Sequence, residues 1–385
     1  MSASNSTRYW RSYRELRFVL AICVCFSAAS CGQSQVPPHN PDTHRLLEIV
    51  GEYSHSSKPS ADVSPKRRLG QASTSSRNTT QEEGPYQRQI RALFEQGNFN
   101  ELEKEAQDAR HGKARVVGGT WKLFLFYDAV SKPATEDEAT EGDWSARFSV
   151  LQKWASTYPE SPTPSIAIAE TYVNYAWAAR GADYADTVAE RGWKLFGERI
   201  ELAKSHLVEA ARLKTKCPHW YRVMQAIALA EGWTRPQARE LFDRAVAFEP
   251  DYLQFYREYA YFLFPKWYGN EGDTEQFAEE VAKQVGGQQG DFIYFEIASY
   301  LMCSVDLAES HMPDMSWAKI KSGYEAMKQL YGVSDLKGNR FAFMAFVARD
   351  KVALKDALTL IGDRRDPRAW NSAEFERAKV WASGQ

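Results

Sequence analysis

The sequence lacks most of the features that announce chemistry. It contains no H-E-x-x-H and no G-x-S-x-G, which removes the commonest zinc-protease and serine-hydrolase signatures. It has no excess of positive charge. Forty-eight Lys and Arg face fifty Asp and Glu, so there is no basic stripe to neutralise phosphates, and no nucleic-acid partner is expected. Cysteine is scarce. Of five, Cys23, Cys25 and Cys31 fall within an apolar run without the second ligand pair a tetrahedral zinc site needs. His206, His219 and His311 have no ligand partner at helical spacing, so neither a metal nor a cofactor is called for. Strand signals are nearly absent as well. No stretch alternates apolar and polar residues with β-branched enrichment for more than a few positions, which predicts an all-α fold.

A long apolar run is also missing. The longest candidate is FVLAICVCFSAAS, Phe18–Ser30, shorter than the roughly 20 residues of a membrane span. Arg8, Arg11, Arg14 and Arg17 precede it. A basic segment followed by a short apolar one is the pattern of a secretion signal. The run ends Ala28-Ala29-Ser30-Cys31-Gly32. Small residues directly before Cys resemble the bacterial lipobox, in which that Cys is acylated, although Ala28 stands where Leu is usual. The reading is a signal over 1–30, a lipid anchor on Cys31, and an envelope protein on the outer membrane facing the periplasm. Cleavage by ordinary signal peptidase near Ala28–Ser30, or an uncleaved anchor, are the alternatives.

Residues 31–85 are rich in Ser, Pro, Thr, Gln and Asn. Such a stretch buries too little apolar surface to offset its chain entropy and reads as a flexible tether. One island in it, Arg45–Tyr53, has helical spacing and reads either as a short docking helix or as a transient helix in a linker. From Tyr86 the texture changes, and apolar residues recur at spacings of three and four to the C-terminus. A single all-α domain over 86–385 follows. Cys217 and Cys303 are expected to be two separate buried cysteines or, alternatively, a disulfide. The run GGQQG, Gly286–Gly290, follows a helix rather than a strand and reads as a helix stop and loop, not a phosphate cradle.

The clearest unit is His219–Pro250. Ala226, Leu229, Ala238, Phe242, Ala245 and Pro250 occupy the six positions of the tetratricopeptide pattern. Small residues let one helix approach the next, Phe242 fills the gap toward the following repeat, and Pro250 ends the second helix. The expectation is a tetratricopeptide-like helical-repeat solenoid with irregular insertions. In the next repeat, about eight extra residues, PKWYGNEG, Pro265–Gly272, sit where a tight turn belongs. Asp273 or Thr274 is expected to cap the helix that follows.

Five motifs carry a resemblance that covers the body. They are GTWKLFLFY (Gly119–Tyr127), W-x-x-R-G (Trp177–Gly181), C-P-x-W-Y (Cys217–Tyr221), FPKWYG (Phe264–Gly269) and NRFAFMAFVARD (Asn339–Asp350). Together they resemble a bacterial family of secreted or envelope helical proteins known as domain of unknown function 4034. That resemblance implies a helical fold and no catalytic residues.

Trp267, Tyr268 and Lys266 in the insertion, with Trp177 and Arg180 at the end of an earlier helix, are the candidate partner-binding residues. Loops set on a rigid scaffold carry function disproportionately, and Trp, Tyr and Arg dominate binding hot spots. The bland alternatives are that Trp267 and Tyr268 pack against their own helix pair, and that Arg180 answers a helix dipole before Gly181. The acids Glu279-Glu280 and Glu136, Asp137 and Glu138 read as solvated faces or loops. The favoured function is a protein- or peptide-binding envelope scaffold rather than an enzyme. The alternatives are a cell-wall hydrolase on a helical scaffold, with two acids meeting in space, and a purely structural or toxin-immunity-like protein.

Overall fold

The structure is a computed structural model that describes residues 43–55, 83–133, 139–181, 187–302 and 315–384. The signal, Cys31, Glu136–Glu138, Cys303 and His311 lie outside the described residues. Among the described residues the protein is all-α: sixteen helices and one isolated bridge, between Arg115 and Trp121. No helix among them is long and apolar enough to cross a membrane.

The chain divides into two compact units within the stretch expected as one domain. The larger carries α1 (Thr43–His55), α2 (Glu83–Glu95), α3 (Phe99–Gly112), α4 (Lys122–Ser131), α5 (Glu141–Thr157) and α6 (Pro162–Arg180). It continues with α7 (Glu190–Arg212), α8 (Pro218–Glu231), α9 (Arg235–Phe248), α10 (Gln254–Phe262), α11 (Asp273–Val285), α12 (Gly287–Leu301) as far as Ala298, and α13 (Trp317–Tyr331). The smaller unit is built on α14 (Asp335–Val347), α15 (Lys351–Ile361) and α16 (Ser372–Ser383).

Two helices form the centre of the larger unit because most of their residues are apolar or small and buried polar ones such as Glu170 and His219 bond to each other. In α6 a continuous stretch from Pro162 to Ala176 is mostly buried, and in α8 every residue from Pro218 to Ala230 is buried. Both starts are written in the sequence. Ser161 accepts a hydrogen bond from the Thr163 amide, and Pro162 and Pro218 stand in first-turn positions where a missing N–H costs nothing. Both end at glycines with positive φ, Gly181 at 75° and Gly232 at 68°. Helix α6 packs against α4, α5, α7 and α8.

Helix α8 in turn packs against α9 and α10, and α10 packs against α9 and α11. Thr234 and Gln237 form a reciprocal capping box at the start of α9. The pattern residues Ala226, Leu229, Ala238, Phe242 and Ala245 are all buried. The Phe242 ring lies 5.0 Å from that of Tyr259 on α10 and 5.2 Å from that of Phe277 on α11.

Three elements differ from the expectation. Only Gly286 stops α11; Gly287–Gly290 form the first turn of α12 rather than a loop. A Cβ at Gly290 would sit 2.2 Å from the Ala282 carbonyl oxygen, so the glycine serves close helix packing and not disorder. Helix α11 begins at Asp273 without a side-chain cap; its N-cap is Gly272, at φ 82°. The Asp273 carboxylate accepts from the Asn270 amide at 2.6 Å, and the Thr274 hydroxyl donates to the Ala260 carbonyl at 3.3 Å. Apolar spacing predicts a helix over Phe341–Arg349, but α14 starts six residues earlier, at Asp335, because Ser334 supplies the N-cap.

In the smaller unit Asn339 holds the packing together. Its amide nitrogen donates to the carbonyls of Asp335 and Arg364, both at 2.8 Å, and its oxygen accepts from the Trp370 indole at 2.9 Å. Trp370 meets Phe343 and Phe375 at 5.8 and 5.1 Å.

Within the stretch read as a tether, residues 43–55 form α1, which packs against α7 and α9, with Leu46, Val50 and Tyr53 buried. The docking alternative for the Arg45–Tyr53 island therefore holds. Cys217 is a buried free thiol.

Candidate functional site

The α10–α11 turn explains its own unusual residues. Phe264 precedes Pro265, and the Trp267 and Tyr268 amides then return to the carbonyls of Phe264 and Phe262 at 2.8 and 3.2 Å. This tight reversal presses Gly269 onto Leu263. A Cβ at Gly269 would lie 1.8 Å from the Leu263 carbonyl oxygen, so no other residue fits. Asp273 closes the turn through Asn270 and pairs with Arg235 at 3.0 Å.

The turn sends its two aromatic rings to different places. Tyr268 folds back: its ring stacks on Phe262 at 4.8 Å, and its hydroxyl donates to the Leu229 carbonyl at 3.0 Å. Burial pushes its phenol up to about 12. Trp267 goes elsewhere. Its indole meets Trp177 of α6 edge-on at 5.6 Å and Tyr261 at 5.8 Å. Its Nε1 is shielded from solvent without a protein acceptor. Trp177 also packs edge-on against Phe196 of α7 at 4.9 Å.

Two cations lie over this aromatic cluster. The Arg180 guanidinium sits 5.7 Å from the Trp177 ring and 5.4 Å from that of Trp193. The Lys266 ammonium lies 5.2 Å from Tyr261 and 5.6 Å from Trp267. Trp177, Arg180, Trp193, Lys266 and Trp267 are all half-exposed. Four of the five candidates read from the sequence thus meet in one cluster, and the fifth, Tyr268, packs the turn that presents them. Trp193 was not a candidate. It belongs to α7 and carries no turn or motif signal.

A second constellation lies inside the larger unit. Glu170 of α6 faces His219 of α8, whose Nε2 is 2.9 Å from the carboxylate, while Nδ1 is 2.6 Å from the Tyr252 hydroxyl. Arg222 bridges Glu170 and Glu258, the latter at 3.0 Å. Tyr127 of α4 stacks on the imidazole at 4.1 Å, and its hydroxyl lies 3.5 Å from the Cys217 sulfur.

Charge and burial fix the proton positions. Burial pushes the Glu170 carboxyl up, but His219 and the Arg222 guanidinium beside it outweigh that and hold the group below the usual carboxylate range. Burial pushes the imidazole down, so His219 is neutral at neutral pH. An ionised carboxylate only accepts, so Nε2 carries the ring proton and donates to Glu170. Nδ1 then accepts from Tyr252.

Glu, His, Tyr and a thiol in contact would suit acid–base or nucleophilic work if a substrate could arrive. His219 and Tyr252 are 0% exposed and Glu170 1%, so the arrangement acts as a sealed polar brace joining α4, α6, α8 and the start of α10. Sequence reasoning missed it because its members are scattered from Tyr127 to Glu258, with no shared spacing.

The paired acids do not converge. Glu279 pairs with Lys319 of α13 at 2.7 Å, and Glu280 with Arg239 of α9 at 2.8 Å. No group of three or more His, Cys, Asp or Glu among the described residues could hold a metal ion. No family model, curated protein or solved structure matches the chain.

Proposed function

We propose that the protein is a helical-repeat scaffold of the bacterial envelope, anchored by acylation of Cys31, that binds a peptide or protein segment through the Trp177–Trp267 cluster. One observation carries this reading. Trp177 and Arg180, far from Lys266 and Trp267 in sequence, converge on one half-exposed surface of indole rings and cations. Indoles and arginine are the residues on which binding energy concentrates. Half-exposed aromatic walls favour a segment that presents an apolar or aromatic side chain.

The scaffold itself is read as tetratricopeptide-like. The buried pattern residues of α8 and α9 and the packing of α10 across both support that. The hydrolase alternative draws nothing from Glu279 and Glu280, which turn to different helices.

The test is a crosslinked pull-down from solubilised membranes with wild type and Trp267→Ala side by side, with thermal unfolding of both. A partner captured by wild type and lost by a folded variant supports the scaffold reading. The same partners with both proteins overturn the assignment of this cluster. Radiolabelled palmitate incorporation, lost in Cys31→Ala, tests the anchor separately.

A further inference from the structure

Helix α1 packs against α7 and α9, and its Tyr53 ring reaches the start of α8. Leu46, Val50 and Tyr53, at i, i+4 and i+7, are buried, while Arg45, Glu48 and Glu52 are exposed. That spacing is how an amphipathic helix docks in a groove on another molecule. A helix of this length is marginal alone in water, so its order depends on the groove.

The groove is built to read one residue. The Tyr53 ring stacks on Trp220 at 4.3 Å and 14°, and meets Tyr221 edge-on at 5.4 Å. The Lys216 ammonium lies 4.7 Å from the ring centre. The hydroxyl completes the reading: it accepts from the Cys217 amide at 2.7 Å and donates to the Cys217 carbonyl at 3.1 Å. A phenol answers both backbone groups of one residue, Cys217; a phenyl ring answers neither. Farther along α1, Arg244 of α9 donates to the Leu47 carbonyl at 3.0 Å. A Cβ at Gly51 would lie 2.8 Å from the Arg244 guanidinium. Glycine is a poor helix former; here it leaves room for the clamp.

We infer that the face made by α7, α9 and the start of α8, which cages Tyr53, is a helix-binding site whose occupant in the intact chain is α1, and that the occupant is exchangeable. The site takes an amphipathic helix with aliphatic anchors at the first and fifth positions and Tyr at the eighth, including the same segment supplied in trans. Covalent attachment gives α1 a high effective concentration, which keeps the site filled. This inference goes beyond the Trp177–Trp267 reading and does not depend on it.

The experiment uses the full-length chain carrying Leu46→Glu and Tyr53→Ala, which empties the groove, and a fluorescein-labelled peptide of residues 43–55 followed by anisotropy. The folded variant is expected to bind the peptide at least tenfold more tightly than wild type does. A peptide with Tyr53→Phe is expected to bind at least tenfold more weakly than the native peptide. A folded variant that takes up no peptide, or one that binds both peptides alike, overturns the inference. If the double variant does not fold, an otherwise wild-type chain with a protease site between residues 56 and 82 is cut and given the labelled peptide. Replacement of its own segment is expected; retention without exchange makes α1 an integral part of the core and overturns the inference. The Trp267→Ala pull-down leaves this site untouched, so the two readings fail separately.

Discussion

The imidazole of His219 donates from Nε2 to the carboxylate of Glu170 across 2.9 Å, in a place solvent does not reach. The pair, with Arg222, ties the central helix α6 to α8, and its energetics have a definite sign in pH. The folded-state pKa of His219 is depressed, so the unfolded chain binds the proton more readily. Stability is therefore lost as pH falls below about 6.5. The Glu170 carboxyl is held below its ordinary 4.5, so its contribution is present above 4.5 and is lost as pH falls from there. Both groups act in one direction. Urea unfolding at a series of pH values is expected to show midpoints that fall from pH 7 to pH 4, and Glu170→Gln is expected to flatten the lower part of that slope.

Removing the carboxylate also takes from the buried Arg222 one of its two carboxylate partners and from His219 its acceptor. Glu170→Gln is expected to cost about 3–5 kcal/mol, the usual cost of breaking a buried pair from one side. Glu280→Gln removes a half-exposed pair with Arg239 and is expected to cost under about 1 kcal/mol. Chemical denaturation of the two variants at pH 7 checks the contrast. Equal effects would mean that the buried brace carries no special weight.

Gly269→Ala tests the turn. The added methyl has no room against the Leu263 carbonyl, so the reversal that places Trp267 must open. A loss on the order of 2 kcal/mol is expected, with a change in tryptophan fluorescence. Tyr268→Phe keeps the ring stack and removes only the bond to Leu229; about 1 kcal/mol is expected.

The edge-on contact of Trp177 and Trp267 predicts coupling between them. In a double-mutant cycle with Phe at each position, a coupling of about 0.5–1.5 kcal/mol in unfolding free energy is expected. Strict additivity would mean that the rings are neighbours without being partners.

Asn339→Ala strips the smaller unit of three hydrogen bonds and leaves the Trp370 indole without its acceptor. A loss of about 2–3 kcal/mol is expected. Hydrogen exchange should rise in α14, α15 and α16, with α6 and α8 unchanged. A uniform rise across the chain would mean that the two units unfold as one.

Helix positions were largely readable because apolar spacings of three and four, Pro at helix starts and Gly at helix ends act locally. Arg180 before Gly181 marked the end of α6, and Pro250 marked the end of α9 at Phe248. What stayed hidden depends on distant pairs. Tyr53 finds its partner 164 residues away at Cys217, and Glu170 finds His219 49 residues away. Neither distance has a periodicity to betray it. Asp273 misled for a related reason: a helix-capping residue type was used instead to close the preceding turn. The convergence of Trp177 on Trp267 is a third case, where each half was visible as a motif and their meeting was not.

Glycine contacts give the larger unit one more property. A Cβ at Gly290 would strike the Ala282 carbonyl, and one at Gly323 would strike the Asp291 carbonyl, each at 2.2 Å. At these points α11 meets α12, and α12 meets α13, main chain against main chain. A side chain at a helix contact can change rotamer and act as a compliant spacer; a peptide group cannot. Either glycine can therefore be enlarged only by moving one helix away from the next.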